Sequence, residues 1–303
     1  MLMKLTILGN NSALPAFGRH PTAQIIDIDG ELILLDCGEN TQIQMQKLGI
    51  KWRRLNHIFI SHLHGDHYFG LFGLINSMSL LGRTQPLFLY APTDLLPLIN
   101  NIMSIADTQF NYPLHFHPLE PETQGLLVDH NLFTVHCFPT EHRIACHGFV
   151  IRTQSKGRKL LPEQCKKYQV PQYFYPRLKQ GEDYERMNGE VVANHLVTEA
   201  SSPVKSYAYC ADTIFTTSFL DHIKGVDVLY HESTYLEKDI EKAGLRFHST
   251  AIQAATLAKL ANVKQLLLGH YSSKYKTIEA FQEEAATVFS NVIATEEGTT
   301  YLI

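Results

Sequence analysis

Residues 61–67, with the sequence SHLHGDH, place four metal-binding side chains within six positions. The four are His62, His64, Asp66 and His67. In an extended backbone the two residues of an H-x-H pair face the same side. The glycine that follows permits a chain reversal, after which the Asp-His pair can begin a helix facing the same cavity. Imidazole and carboxylate ligands without thiolate are typical of catalytic zinc. The motif can therefore bind two adjacent metal ions. The alternative is a histidine-rich surface loop that binds none.

Further ligand-type residues follow other predicted strands. The strands are short and rich in β-branched or aromatic residues, which favours strand over helix. They are 55–61 before His62, 132–138 before His142, 206–211 before Asp212, 227–230 before His231 and 265–269 before His270. These strand ends supply the ligands that the short motif lacks.

The remaining predicted elements alternate between strand and helix. Strands are expected at 4–8, 23–28 and 31–35, the last two joined by a turn at Asp29-Gly30. Helices are expected at 67–81, 250–261 and 276–289, the second beginning after a Ser-Thr cap. Such alternation predicts an α/β layered domain.

Composition limits the class of protein. The chain has 303 residues, of which 45% are hydrophobic, so it can build a sizeable core. Its 26 basic and 30 acidic residues give a net charge of −4, which excludes a generally basic nucleic-acid binder. The five cysteines are odd in number and are expected to be reduced thiols. The sequence also shows no signal peptide and no apolar stretch long enough to cross a membrane. We therefore expect a soluble cytoplasmic protein.

One segment, residues 152–186, has a composition unlike the rest. It carries nine bases, among them Lys156, against four acids, a net +5, which leaves −9 for the remaining chain. Aromatic residues are interleaved with these basic residues. This pattern suits an arm whose positive charges bind a nucleic-acid backbone and whose rings stack on nucleobases. The alternative is an ordinary solvated surface excursion.

The chain resembles the metallo-β-lactamase superfamily through H-x-H-x-D-H, and more narrowly its ribonuclease Z family. The narrower resemblance rests on the motifs LLDCGENTQ at 34–42, PTEHRIACHGF at 139–149, YCADT at 209–213, HEST at 231–234, HST at 248–250 and LLLGH at 266–270. It covers nearly the whole chain. It implies one domain over 1–303 with an αββα sandwich, and a protruding arm inserted at 152–186.

The resemblance also implies a ligand set for two Zn²⁺ per subunit. One zinc would be bound by His62, His64 and His142, the other by Asp66, His67 and His270, with Asp212 bridging them. His147 follows the same strand as His142, but the family's ligand precedes a Gly-aromatic pair by several residues, which favours His142. Asp36 would orient the ligands through hydrogen bonds without contacting the metal. The alternative is an aspartate that only forms a turn.

The implied activity is removal of the 3′ trailer from precursor tRNA, leaving a 3′-hydroxyl on the tRNA and a 5′-phosphate on the trailer. Paired zinc ions would acidify a bridging water for attack on phosphorus, with Asp66 accepting its proton. His248 would steady the phosphate or protonate the leaving oxygen. His231, with Glu232, would orient His248 or carry a second proton; its alternative is a core histidine bonded to a backbone carbonyl.

The other histidines are expected to be ordinary structural residues: His57, His115, His117, His130, His136, His195 and His222.

Substrate contacts are expected at Arg19 and Lys179. Arg19 lies in P-A-F-G-R-H, where many relatives have P-x-K-x-R-N, and Lys179 lies in the altered arm tip VPQYFYPRLKQG. The family implies a homodimer in which one subunit's arm serves its partner's active site. Two alternatives remain: a dinuclear-metal hydrolase of the same fold acting on a small phosphodiester or thioester, and a non-catalytic relative without metals.

Overall fold

A computed structural model describes residues 2–155, 157–201 and 203–303. Lys156, one of the bases counted in the arm, lies outside the described residues. Two seven-stranded sheets account for most of the described strands. Strands and helices are numbered along the chain.

The first sheet has the strand order β18-β1-β2-β3-β4-β5-β6. The pairs from β3 to β6 are parallel and the others antiparallel. Its strands are β1 Met3–Gly9, β2 Ala23–Ile28, β3 Glu31–Leu35, β4 Leu55–Phe59, β5 Leu87–Pro92, β6 Leu114–Leu119 and β18 Thr300–Leu302.

The second sheet has the order β17-β16-β15-β14-β9-β8-β7. The pairs from β14 to β17 are parallel, whereas β7, β8, β9 and β14 pair antiparallel. Its strands are β7 Gly125–Asp129, β8 Phe133–Thr140, β9 Cys146–Thr153, β14 Ser206–Cys210, β15 Val228–Glu232, β16 Gln265–Gly269 and β17 Val292–Ala294.

Helices cover the outer face of each sheet. The helices are α1 Thr41–Lys47, α2 Gly65–Tyr68, α3 Leu71–Leu80, α4 Leu95–Ile105, α5 Pro162–Lys167, α6 Tyr175–Lys179, α7 Asn194–Val197, α8 Leu220–Ile223, α9 Ile240–Leu245, α10 Ala251–Leu260 and α11 Glu279–Ala286. Buried residues of α3 and α4, such as Leu74 and Ile99, pack on the first sheet. Those of α10 and α11, such as Leu257 and Phe281, pack on the second. No described helix is long and apolar enough to cross a bilayer.

The core between the sheets is aromatic and continuous. Phe59 of the first sheet and Phe149, Tyr209 and Tyr230 of the second belong to one buried cluster. The central strand β15 is buried along its whole length because both its faces are covered. The four layers confirm the αββα sandwich.

Every strand predicted from the sequence is present, but one predicted helix is divided. The expected helix over 67–81 is interrupted between α2 and α3. The backbone at Gly70 packs directly against the backbone of Gly38, where a Cβ atom would lie only 2.1 Å from the Gly38 oxygen. There is no room for a side chain on the helix at this point. Thr250 caps α10 with a capping box to Gln253, as the Ser-Thr signal indicated.

The inserted segment (residues 154–205), between β9 and β14, differs from the arm expected at 152–186. Arg152 belongs to β9, where it pairs with Ser206 and Thr134, and the excursion continues to Lys205. It contains helices α5 to α7 and the short strands β10 Lys159–Leu160, β11 Tyr184–Glu185, β12 Val191–Val192 and β13 Thr198–Glu199. Nine bases and six acids give this longer span a net +3.

The inserted segment has its own small core. Cys165, Val170, Phe174 and Leu178 lie in a separate buried cluster, against which Tyr168, Tyr175 and Tyr184 pack. Most of its aromatic rings therefore serve packing rather than stacking on a ligand. Tyr173, which is 78% exposed, remains available at the surface.

Candidate metal centre

The predicted ligand residues converge at one edge of the sandwich. Asp36 follows β3, His62 follows β4, Asp212 follows β14 and His270 follows β16. The carboxyl ends of parallel strands lie at a common edge, and the topology therefore brings these separated segments together. The chain reversal at His64–Asp66 adds the first turn of α2 from the same side.

The first group comprises His62, His64, His142 and one oxygen of Asp212. His64 Nδ1 lies 3.0 Å from His62 Nε2 and 3.2 Å from His142 Nε2. Asp212 Oδ2 lies 3.5 Å from His62 Nε2 and 3.7 Å from His142 Nε2. One ligand atom from each residue lies within 4.8 Å of every other.

The second group comprises Asp66, His67 and His270, with the other oxygen of Asp212. The Nε2 atoms of His67 and His270 are 3.2 Å apart and lie 3.5 and 3.4 Å from Asp66 Oδ2. Asp212 Oδ1 lies 3.4 Å from His67 Nε2 and 3.1 Å from His270 Nε2. The carboxylate of Asp212 thus stands between the groups with one oxygen toward each.

These spacings fit metal ions. Ligands at 2.0–2.1 Å around a tetrahedral zinc are about 3.3 Å apart, close to the separations above. Asp212 Oδ1 is buried, and none of the residues that the structure describes donates a hydrogen bond to it, a costly state unless a cation faces it. Several imidazole nitrogens also point at one another, which a shared cation would explain better than hydrogen bonds do.

The histidines are also held from behind, as metal ligands usually are. His67 Nδ1 donates to Asp36 Oδ2 at 2.7 Å, and His142 Nδ1 donates to the carbonyl of Phe247 at 2.8 Å. His270 Nδ1 lies 2.9 Å from Thr234 Oγ1, and His62 Nδ1 lies 3.0 Å from Ser61 Oγ.

Burial and charge set the protonation of the two groups in opposite ways. Burial lowers the pKa of His62, His64 and His142 to about 4, so all three are neutral at pH 7, the state that binds a metal. Burial would also lower the pKa of His67, but Asp212, Asp66 and Asp36 raise it well above its ordinary value. His67 therefore carries a positive charge at pH 7, balanced by the carboxylates around it.

His248 adjoins the cluster and is oriented by Glu232. Its Nδ1 donates to Glu232 Oε1 at 2.9 Å and lies 3.9 Å from Asp212 Oδ2. Although burial lowers the pKa of His248, Glu232 and Asp212 raise it to about 9. Glu232 also accepts from the hydroxyl of Thr234 at 2.6 Å, and Thr234 contacts His270. One carboxylate thereby links His248 to a predicted ligand.

His231 does not reach the cluster. It is buried in β15, and its Nδ1 donates to the backbone carbonyl of Glu232 at 2.7 Å. Successive strand residues point to opposite faces, so His231 shares the face of Leu229 and Glu232 takes the other. Of the two residues expected to orient His248, Glu232 makes the contact, whereas His231 is hydrogen-bonded to a backbone carbonyl, the arrangement given as its alternative.

The two predicted substrate contacts lie apart from the cluster or are already engaged. The Arg19 guanidinium donates to Asn11 Oδ1 at 2.9 Å and to the carbonyls of Tyr275 and Lys276 at 2.6 and 3.1 Å. This arginine therefore ties two loops together, and its donors are largely used within the chain. Lys179 is exposed on the inserted segment and does not line the cleft at the cluster.

His147, the rival of His142, also lies outside both groups. It is buried, and its Nε2 lies 3.0 Å from the carbonyl of Glu120. The structure thus places His142, and not His147, with the other ligand-type residues.

A cleft of about 650 Å³ opens beside the cluster and includes His64, Asp66, Asp212 and His248 in its lining. It is also lined by Arg143, Arg246 and Phe69, which the sequence reasoning missed. Arg143 directly follows a predicted ligand, and Arg246 lies two positions before His248 of the HST motif, which is the signal that could have identified them.

Comparisons with known sequences match a family model over half of the chain and ribonucleases Z over nearly all of it. Residues 3–155 match a family model described as Anti-Pycsar protein Apyc1. A ribonuclease Z of Parabacteroides distasonis is 41% identical over 294 residues, which cover 97% of each chain. A ribonuclease Z of Cytophaga hutchinsonii is 40% identical over 310 aligned positions, covering 100% of this chain and 97% of the relative.

Comparisons with solved structures agree. The short form of human tRNase Z superposes with a TM-score of 0.71 at 26% identity, covering 98% of both chains. The metallo-β-lactamase fold protein YhfI of Bacillus subtilis has a TM-score of 0.69 at 18% identity and covers both chains fully, a likeness of fold alone.

Proposed function

The chain belongs to the ribonuclease Z family and, over residues 3–155, to the family described as Anti-Pycsar protein Apyc1, and on this premise we propose that it is a metal-dependent endoribonuclease removing the 3′ trailer of precursor tRNA. The observation that carries the proposal is the convergence of five histidines and two aspartates beside an open cleft. The products would be a tRNA 3′-hydroxyl and a trailer 5′-phosphate.

The metal ions would be two Zn²⁺ per subunit. The proposed ligands are His62, His64 and His142 for one ion and Asp66, His67 and His270 for the other, with Asp212 shared. Their support is the donor spacing and the unsatisfied oxygen of Asp212. Bound there, the ions would supply Lewis acidity at the phosphate and acidify a water near neutral pH.

The chain's own residues would then manage protons. Asp66 lines the cleft, and the backbone amide of Ala13 fixes its Oδ2 through a 2.7 Å hydrogen bond. Burial would raise the pKa of Asp66, but His67 and His270 keep it well below its ordinary value, so the carboxylate is ionised. Its place beside the cleft makes it the proposed acceptor of a proton from the attacking water. His248, protonated beside Glu232, would donate a proton to the departing 3′-oxygen of the tRNA. His231 receives no role in this scheme.

The body of the tRNA would be bound by the inserted segment. Support comes from its net +3 in a chain of net −4 and from the exposed ring of Tyr173. Exposed bases such as Lys179 would contact phosphates and make binding depend on salt concentration.

The active form would be a homodimer acting in the cytoplasm, where precursor tRNA is processed. The proposed subunit surface is the helical layer of the first sheet, which exposes Leu80, Leu81, Ile102 and Ile105. Apolar side chains of this density on adjacent helices are typical of an interface.

Incubation with a 3′-extended precursor tRNA tests the activity. We expect one cut next to the discriminator base, lost on chelation and restored by zinc. Asp212→Ala should abolish the cut, whereas the surface variant Asp94→Asn should retain it. Efficient hydrolysis of small phosphodiesters or thioesters without cleavage of precursor tRNA would instead support the alternative hydrolase.

A further inference from the structure

One wall of the cleft at the cluster carries two arginines. Arg143 follows His142, and Arg246 precedes Phe247, whose carbonyl accepts the 2.8 Å hydrogen bond from His142 Nδ1. This bond joins the loop after β8 to the loop after α9 and so sets the two arginines close to the same point. Both are exposed at the cleft, and no other arginine or lysine is found among its described lining residues.

Another part of the lining is apolar. Phe69 is 60% exposed although it directly follows α2, and Leu14 is 52% exposed. The Phe69 ring lies against the backbone of Gly65, where a side-chain carbon would meet ring atoms at 2.3–2.7 Å. The glycine of H-x-H-x-D-H thus leaves room for a flat ring beside Asp66.

The carboxylates of the cleft would repel RNA. Glu39, Asp66 and Asp212 line it as well. A polyanion entering beside these carboxylates needs cations for its backbone, and an unpaired base gains most from an aromatic face. The cleft offers both.

We propose that the cleft clamps the unpaired nucleotides flanking the cut, with Phe69 stacking on a base and Arg143 and Arg246 binding backbone phosphates. The clamp rests on the proposed function, since it assumes that the ligand is single-stranded RNA crossing this cleft. It concerns the nucleotides next to the cut, whereas the inserted segment would bind the tRNA body.

Binding of a short RNA tests the clamp apart from catalysis. The probe is a fluorescent single-stranded hexanucleotide with a methylphosphonate at the cut position, which prevents hydrolysis, added to the metal-loaded full chain. Removing a stacked ring typically weakens single-strand binding by about tenfold, so we expect this loss for Phe69→Ala and recovery for Phe69→Trp. Arg143→Ala and Arg246→Ala should each lower the slope of log affinity against log salt by about 0.7.

Matched variants separate local effects from general ones. Arg53→Ala removes an exposed arginine elsewhere and should leave the slope unchanged, and Arg143→Lys should preserve it because the charge remains. Wild-type binding by Phe69→Ala, or an unchanged slope in both arginine-to-alanine variants, would overturn the clamp.

Turnover gives a second readout. The loss of kcat/KM on precursor tRNA should exceed the loss on bis(p-nitrophenyl) phosphate by tenfold or more in Phe69→Ala, because the small diester has no flanking nucleotides. Equal losses would argue against the clamp. If the wild type binds the RNA through these residues but does not cut precursor tRNA, the proposed function fails and the clamp stands.

Discussion

At the scale of single residues, Asp36 is the most constrained carboxylate behind the centre. It is fully buried and accepts hydrogen bonds from the amide and hydroxyl of Ser61, from His67 Nδ1 and from the hydroxyl of Tyr209 at 2.6–2.9 Å. Its backbone has φ +56°, in the left-handed region that aspartate and asparagine adopt more readily than most non-glycine residues. Asp36 therefore fixes the ring of His67.

Asp36→Asn should weaken metal binding by about 10- to 100-fold. The amide nitrogen cannot accept a hydrogen bond, so His67 loses its fixed tautomer and orientation. Asparagine tolerates positive φ well, so backbone strain does not confound the result. Competition with a chelating dye measures the affinity, and exposed Asp94→Asn is the control. Unchanged affinity would show that His67 does not depend on Asp36.

Glu232→Gln should lower kcat on precursor tRNA by about 10²-fold with little change in KM. The neutral amide removes the charge that raises the pKa of His248 to about 9, so the imidazole becomes a poorer proton carrier at pH 7. NMR titration should show the pKa of His248 falling in the variant. A matched loss in Lys259→Ala, an exposed change on α10, would point to a general effect on the protein.

Residue types and strand ends predicted the members of the cluster, because H-x-H-x-D-H and the residues after apolar strands are visible in the sequence. The two alternatives for His231 stayed open because a strand that is buried on both faces shows no alternation of polar and apolar residues from which its side-chain directions could be predicted. The two arginines of the cleft belong to no sequence motif. They line the same cleft because the hydrogen bond from His142 to Phe247 brings their two loops together, a contact that the sequence does not reveal.

At the scale of elements, a row of stacked rings joins β4, β5 and β6. His57, Phe88 and His115 occupy paired positions, with ring centroids 5.2 and 5.1 Å apart. His57 also contacts Phe133 of β8 and His130 of the turn before it, and its buried Nδ1 has no hydrogen-bond partner in the described part of the chain. Histidines that seemed unrelated in the sequence are therefore part of the packing between sheets.

This row should make the fold sensitive to acid. Burial, with the nearby His130 and His117, lowers the pKa of His57 to about 4, below the unfolded value of 6.5. The unfolded chain thus binds the proton more readily, and stability falls as the pH drops from about 6.5 toward 4. The contribution of His57 at pH 5 is about 1–2 kcal/mol of unfolding free energy.

His57→Phe should reduce that loss while keeping stability at pH 8, because phenylalanine can stack on Phe88 without titrating. Urea unfolding at pH 8, 6 and 5 measures the difference from wild type, which also cancels the effect of acid on metal binding. His195→Gln, an exposed histidine of the inserted segment, should follow the wild type. Parallel pH curves for wild type and His57→Phe would contradict the assignment.

The inserted segment can be removed as a unit. Its ends are adjacent, since the amide of Thr153 donates to the carbonyl of Lys205 at 2.9 Å and the amide of Lys205 donates to Thr153 Oγ1 at 2.8 Å. Charge counting located the segment but not its limits, because Arg152 is basic and still belongs to a sheet. A deletion confined to the expected arm, 152–186, would split the small core, because Val192 and Val197 belong to it.

Replacing residues 155–203 by a short glycine-serine linker should abolish cleavage of precursor tRNA and retain hydrolysis of bis(p-nitrophenyl) phosphate within a few-fold. The main sandwich keeps its own cores, and the ligands lie outside the deleted span. Loss of both activities in a folded, metal-loaded protein would argue that the segment supports the centre rather than the tRNA.

At the scale of the whole molecule, the sandwich forms a site that neither sheet could form alone. The first sheet contributes the H-x-H-x-D-H segment and Asp36, and the second contributes His142, Asp212 and His270. The aromatic core between the sheets sets their separation. A change that alters this packing should therefore disturb the centre, even at a distance from the ligands.

The proposed dimer makes a prediction that no single subunit can satisfy. If one subunit's inserted segment serves its partner's centre, the segment-deleted protein and Asp212→Ala are each inactive on precursor tRNA for different reasons. Mixed subunits combine an intact centre on one chain with an intact segment on the other. With random exchange, half the dimers are mixed and each has one competent pair, so activity should return to about a quarter of wild type.

Measuring cleavage after co-refolding, with sedimentation confirming dimers, distinguishes the cases. No recovery would mean that each segment serves its own centre, and recovery abolished by Ile105→Glu would place the subunit contact on the exposed face of α4.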